Sequence, residues 1–179
     1  MRRDLEEQKR STEIDPFARP WALGFAFIHA RQFDAAVREL RIRAEVQPHA
    51  NTRFILSDAY WYQGMWKESV QATEEGLLAE GKKAMAAEVR REFDSGGEKG
   101  LSEWRLIHQK AAAQKRYVSP WSLACLAARL RRTDETLGFL EAAYAERSPR
   151  LVYLKVAPEL DFLHEDRRYW ALARKIGLP

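Results

Sequence analysis

Cysteine is almost missing from this chain of 179 residues: Cys125 stands alone, so no intramolecular disulfide can form. That excludes a framework stapled in an oxidising compartment and makes a cytoplasmic setting the expectation. Long apolar runs are missing too. No stretch approaches the ~20 apolar residues that span a bilayer, and residues 1–10, MRRDLEEQKR, contain no apolar leader core. Seven prolines and nine glycines are too few for a collagen-like or low-complexity chain. Net charge is small as well, since 30 Lys and Arg against 26 Asp and Glu leave +4. The basic pairs Lys82-Lys83, Arg90-Arg91, Lys115-Arg116, Arg131-Arg132 and Arg167-Arg168 are dispersed along the chain. A nucleic-acid footprint gathers on one face, so direct nucleic-acid contact is not the expectation.

Catalytic patterns are equally scarce. His29, His49, His108 and His164 never fall at a two-histidine metal spacing, and Cys125 has no second thiol for a zinc site. The run Ser95-Gly96-Gly97-Glu98-Lys99-Gly100 lacks the order of a phosphate loop and reads as a turn. Neighbouring acids such as Glu74-Glu75 and Glu165-Asp166 point apart on a helix and cannot serve as a carboxylate pair without partners elsewhere. Neither an enzyme nor a metal or cofactor is expected.

What the chain does contain is a repeat. Leu23-Gly24-Phe25-Ala26-Phe27 aligns with Leu56-Ser57-Asp58-Ala59-Tyr60, and the step from Leu23 to Leu56 is also the step from Phe33 to Trp66. A further copy reads Leu123-Ala124-Cys125-Leu126-Ala127 and follows Leu56 by roughly twice that step, which leaves room for one unit between. Phe93 and Gly97 follow Tyr60 and Gly64 by the same single step, so that middle unit is degenerate but in register. Its second helix is expected from about Leu101, with Trp104, Ile107, His108 and Ala111 or Ala112 on one face. Within the first unit Leu23, Phe27 and Ala30 mark one helix, and Ala36, Leu40 and Ala44 mark its partner. Only Leu151 to Val156 departs from helical spacing, and it is expected as an extended or irregular link.

The stretch Leu56 to Ser69, L-S-D-A-Y-W-Y-Q-G-M-W-K-E-S, resembles the tetratricopeptide signature of Leu-Gly, Ala-x-aromatic, Gly, aromatic and small residue. Small residues such as Gly24, Ala26, Ala36, Ala59 and Ser69 are expected where two helices approach, with Leu23, Phe27, Tyr60 and Trp66 filling the space between. Arg31 and Arg131 depart from the family by standing where it has the turn glycine, and Arg43 stands where it has alanine. The resemblance implies an all-α fold: an α-α superhelix of about four helix pairs closed by a capping helix. Its units would be 17–49, 50–82, 83–116 and 117–150, after an N-terminal segment 1–16 and before a link and cap at 151–179. Tyr169, Trp170, Leu172, Ala173 and Ile176 would cover the last pair.

The C-terminal part, Tyr117-Val118-Ser119-Pro120 through Arg147 and on to Gly177-Leu178-Pro179, is similar to the final repeat block of large bacterial regulators. In those proteins the array follows a winged-helix domain, a kinase or a cyclase. The resemblance implies a sensor or scaffold part whose effector is elsewhere. It also implies a groove lined by the first helices of each pair, where Trp21, Phe25, Phe54, Asp58, Trp61, Tyr62, Trp121 and Arg129 are the candidate partner-binding residues. Ile28, His29, Cys125 and Arg132 lie among them. Any one of these aromatics can instead pack against a neighbouring repeat, but adjacent Trp61 and Tyr62 cannot both face the core. The family's clamp for chaperone tails uses lysine and asparagine, and Trp21, Phe25 and Asp58 in those places argue against it. The expected partner is a protein or peptide and not a membrane. A nucleic-acid-associated regulator component and a self-assembling homo-oligomer are the alternatives.

Overall fold

Helix-forming residues with an apolar stripe and few breakers dictate the local structure, and the computed structural model, which describes residues 5–10 and 19–178, is helical throughout its regular parts. No strand occurs among the described residues. Residues 5–10 are helical, while the rest of the expected N-terminal segment, the start of the array at 17–18, and Pro179 lie outside the described residues. The chain forms two compact units, Met1–Leu101 and Ser102–Pro179, so the expected repeat 83–116 contributes to both.

In the first unit, α1 (Ala22–His29), α2 (Phe33–Val46), α3 (Ala50–Tyr62) and α4 (Trp66–Ala79) follow one another through short turns. Each packs on the next, and α1 also touches α3. Turns this short make sequence neighbours antiparallel. The core between them holds Ile28, Ala36, Leu40, Ile55, Leu56, Ala59 and Tyr60.

Helix spacing within the two hairpins is set by complementary residue sizes. Gly24 is buried on α1, and a Cβ built on it would lie 2.3 Å from Leu40 Cγ of α2, so Leu40 occupies the space a side chain would need. One repeat step further along the chain, the equivalent residues are Ser57 and Thr73. There a small hydroxyl faces another: Ser57 Oγ lies 2.8 Å from Thr73 Oγ1 and 3.0 Å from Ser69 Oγ, all buried. Ser69 Oγ also donates to the Ser57 carbonyl at 2.9 Å, so the buried hydroxyls are satisfied. Ala26, expected at a close approach, is only half-buried.

A long helical run, α5 (Lys83–Ala113), breaks at Gly97, whose φ of 59° and ψ of −145° belong almost to glycine alone. Just beyond, Gly100 lies so close to the Glu92 carbonyl that a Cβ would be 2.2 Å from its oxygen. The break therefore falls on the glycine run expected to make the turn. After it, Trp104 and Leu106 are buried, whereas Ile107 is 58% exposed, which corrects the expected face. Leu106 packs with Leu123, Leu126 and Ala127, and that contact sets the phase in which the helix resumes.

The second unit continues with α6 (Pro120–Arg129) and α7 (Thr133–Ala145), packed on each other. Pro120 takes the first helical position after Ser119, where its missing N–H costs nothing. The next segment is not extended as expected. It forms two 3₁₀ helices, Pro149–Tyr153 and Pro158–Leu163. Leu151, Leu154, Ala157, Leu160 and Leu163 are all buried at steps of three, the period at which 3₁₀ side chains line up. The last helix, α8 (Arg167–Ile176), lies where a closing helix was expected, with Asp166 accepting from the Arg168 N–H at its start. Tyr169 is fully buried and donates its hydroxyl to the Leu154 carbonyl at 2.7 Å, tying the cap to the 3₁₀ segment.

Candidate functional site

The candidate residues of the first unit lie on α1 and α3 or at their ends. Trp21 and Phe25 meet edge to face, 6.2 Å between centroids, and both pack against the core from a half-buried position. Phe25 also tilts onto His29, whose Nδ1 donates to the Phe25 carbonyl at 2.9 Å. Phe54 is half-buried and turned toward α4, because a Cβ on Gly76 would lie 2.6 Å from its ring. It fills the gap within its own hairpin. Asp58 is half-buried on the same helix.

Trp61 and Tyr62 are both half-buried, so neither is a core residue. Tyr62 stacks on Phe33 of α2 at 5.2 Å and 18° between planes. Trp61 meets Tyr62 and Trp66 edge to face, at 5.3 and 5.8 Å. Phe33 and Trp66 are the aromatics that the repeat aligns with each other. They stand at the first positions of α2 and α4, so both turns contribute to one aromatic cluster, Phe33, Tyr62, Trp61 and Trp66. Sequence spacing spread these side chains over three helices without showing that they meet.

Beside this cluster, the α1–α2 turn, the first turns of α2 and the end of α3 enclose an open cleft of about 720 Å³. Gln63 donates its amide to the Asp34 carboxylate across it.

In the second unit, Trp121 is 3% exposed and belongs to the core around Leu140, Leu154 and Tyr169. It packs into that core and is not presented at a surface. Arg129, also of this unit, is half-buried at the end of α6. The structure thus brings Trp21 and Phe25 together, and Trp61 with Tyr62, while Trp121 serves the fold.

Several charges are engaged within the units. Arg90 pairs with Glu74, Arg53 with Glu75, and Arg132 with Glu103 at 2.6 Å. Arg168 bridges Asp134 and Asp166, each at 2.7 Å. A hydrogen bond from Lys110 holds the Glu135 carboxyl below its usual range. Among the described residues no three His, Cys, Asp or Glu side chains converge as metal ligands. No helix there is long and apolar enough to cross a membrane.

No protein-family model and no curated protein matches the chain.

Proposed function

We propose that the chain is a tetratricopeptide-type array that holds a protein segment, with the binding surface on the first unit. The observation that carries this reading is two half-exposed aromatic pairs, Trp21 with Phe25 at the start of α1 and Trp61 with Tyr62 at the end of α3. Tryptophan and tyrosine at the edge of a packed surface supply large contact area with few rotors to freeze, the property that makes them interface anchors.

The repeat reading draws support from residue sizes at equivalent places. Gly24 with Leu40, Ser57 with Thr73, and Ala124 with Leu140 share one sequence spacing, and all six are buried. One geometric slot between two helices is filled by three different combinations. A scaffold or sensor role accords with an array that offers surface.

The test is capture of a binding partner by the intact chain and by Trp61→Ala, with melting curves to show that both are folded. Loss of capture of at least tenfold for Trp61→Ala supports the reading. Equal capture by the two proteins removes Trp61 as an anchor and the aromatic surface with it.

A further inference from the structure

The positive charge of the chain belongs to its second unit. Ser102–Pro179 holds 14 Lys and Arg against 9 Asp and Glu, whereas Met1–Leu101 holds 16 against 17, so the excess lies wholly beyond Leu101. Within this unit the two ends differ. At the α6–α7 turn, Arg132 pairs with Glu103 and Glu135, Arg168 with Asp134 and Asp166, and Arg131 lies over the Phe162 ring. At the opposite end, where α5 stops, α6 starts and α7 stops, Lys115, Arg116 and Arg147 are exposed and form no ion pair among the described residues. The Tyr117 hydroxyl donates to the Glu146 carboxylate at 2.8 Å and ties these two links together, so Lys115 and Arg116 share one end with Arg147 and Arg150. Those four cations outnumber the neighbouring acids, Glu146 and Glu141, whatever pairs they make. Between them stands Tyr117, at 71% the most exposed large hydrophobic side chain among the described residues.

We propose that this end of the second unit binds single-stranded nucleic acid, with a base stacked on Tyr117 and backbone phosphates at Lys115, Arg116 and Arg147. Cations that take up phosphate charge release the counterions condensed on the strand, and this drives binding without regard to sequence. A bare aromatic ring among cations completes the arrangement, because every base has a face to stack on it. An acidic peptide would answer the cations and leave the ring without a partner, and a duplex keeps its base faces inside its own stack. The sequence scatters these residues over two links more than 25 positions apart, and antiparallel packing of α6 and α7 returns both links to the same end. The surface lies in the other unit from Trp61 and Tyr62, so the inference goes beyond the scaffold reading and does not depend on it.

Fluorescence anisotropy of a labelled twelve-nucleotide oligothymidylate with the full chain tests this. The expected result is saturable binding at 50 mM salt that weakens at least tenfold by 300 mM. Arg116→Glu and Arg147→Glu should each weaken it at least fivefold. Tyr117→Leu should cost as much, while Tyr117→Phe, which keeps the ring and loses only the hydroxyl bond to Glu146, should retain most of the affinity. Arg38→Glu, the same charge change at an exposed site of the first unit, should bind as the native chain does, and so should Trp61→Ala. No binding at 50 mM salt overturns the proposal. So does an equal loss in Arg38→Glu, unchanged affinity in Tyr117→Leu, or a twelve-residue oligoglutamate that competes as well as unlabelled oligothymidylate. Arg116, Tyr117 and Arg147 are exposed, so their variants should fold, and circular dichroism checks that they do.

Discussion

Three arginines, Arg31, Arg131 and Arg147, hold the left-handed backbone conformation that ends helices, a place usually given to glycine. The hydrogen bonds are those of a glycine turn: Gln32 N–H reaches the Phe27 carbonyl and Arg132 N–H the Ala127 carbonyl, as Met65 N–H reaches Tyr60. The turns at Arg31 and Arg131 therefore form without glycine, at a cost of ~1 kcal/mol each. Arg147 is exposed, so Arg147→Gly should raise stability by about 0.5–1 kcal/mol in urea unfolding. Arg131 lies over the Phe162 ring at 5.2 Å, a contact worth ~0.5–1 kcal/mol that glycine forfeits, so Arg131→Gly should be close to neutral. At the same scale, burial pushes the Tyr169 hydroxyl up to about 12. Above pH 10 an unfolded chain loses this proton while the folded one keeps it, so stability is intact below pH 10 and falls as pH rises toward 12. With ~1.4 kcal/mol per unit, the loss approaches roughly 2 kcal/mol. Denaturant melts from pH 9 to 12 should show this added slope in the native chain and not in Tyr169→Phe.

At the scale of elements, two features decide how helices meet. The Gly24–Leu40 and Ser57–Thr73 pairs fill equivalent slots, so Gly24→Ser alone should cost about 1–3 kcal/mol by overpacking against Leu40. Adding Leu40→Thr transplants the second pair into the first hairpin and should recover at least half of that loss. A double-mutant cycle with no coupling would refute the equivalence. The other feature is the broken helix. Gly97→Ala should destabilise by ~1–3 kcal/mol because its backbone conformation is hostile to a Cβ. Gly96 is helical with open space around its would-be Cβ, so Gly96→Ala should instead gain up to ~1 kcal/mol. Equal effects at the two positions would mean that the kink does not depend on Gly97.

For the whole molecule, each compact unit has its own core, and the second depends on its C-terminal cover. Ending the chain at Ala157 removes Leu160, Leu163, Tyr169 and Leu172, all buried against Leu137, Leu140, Leu151 and Leu154. Each such side chain contributes ~1.5–3 kcal/mol on burial, so their joint loss is comparable with the whole stability of a domain, about 5–15 kcal/mol. The truncated chain should bind a hydrophobic dye and lose the cooperative transition of this unit. An unchanged calorimetric profile would contradict the covering role. Tyr144 of α7 is 41% exposed and is not part of this covered surface.

Helical class, the hairpins around Leu23 and Leu56, the break near Gly97 and the cap after Asp166 were legible in the chain, because period and turn residues are local properties. The 3₁₀ segment from Leu151 to Leu163 was missed and expected as an extended or irregular link, because its steps of three pay off only where that face is buried. Packing decided what spacing leaves open. Local sequence cannot say whether a large aromatic on a helix is covered, so Trp121 went to the core while Trp61 and Tyr62 stayed half-exposed. Nor could it show that Phe33 and Tyr62 stack beside Arg31 and Arg38. That cleft exists only because short turns return successive helices to the same end, where residues distant in sequence meet.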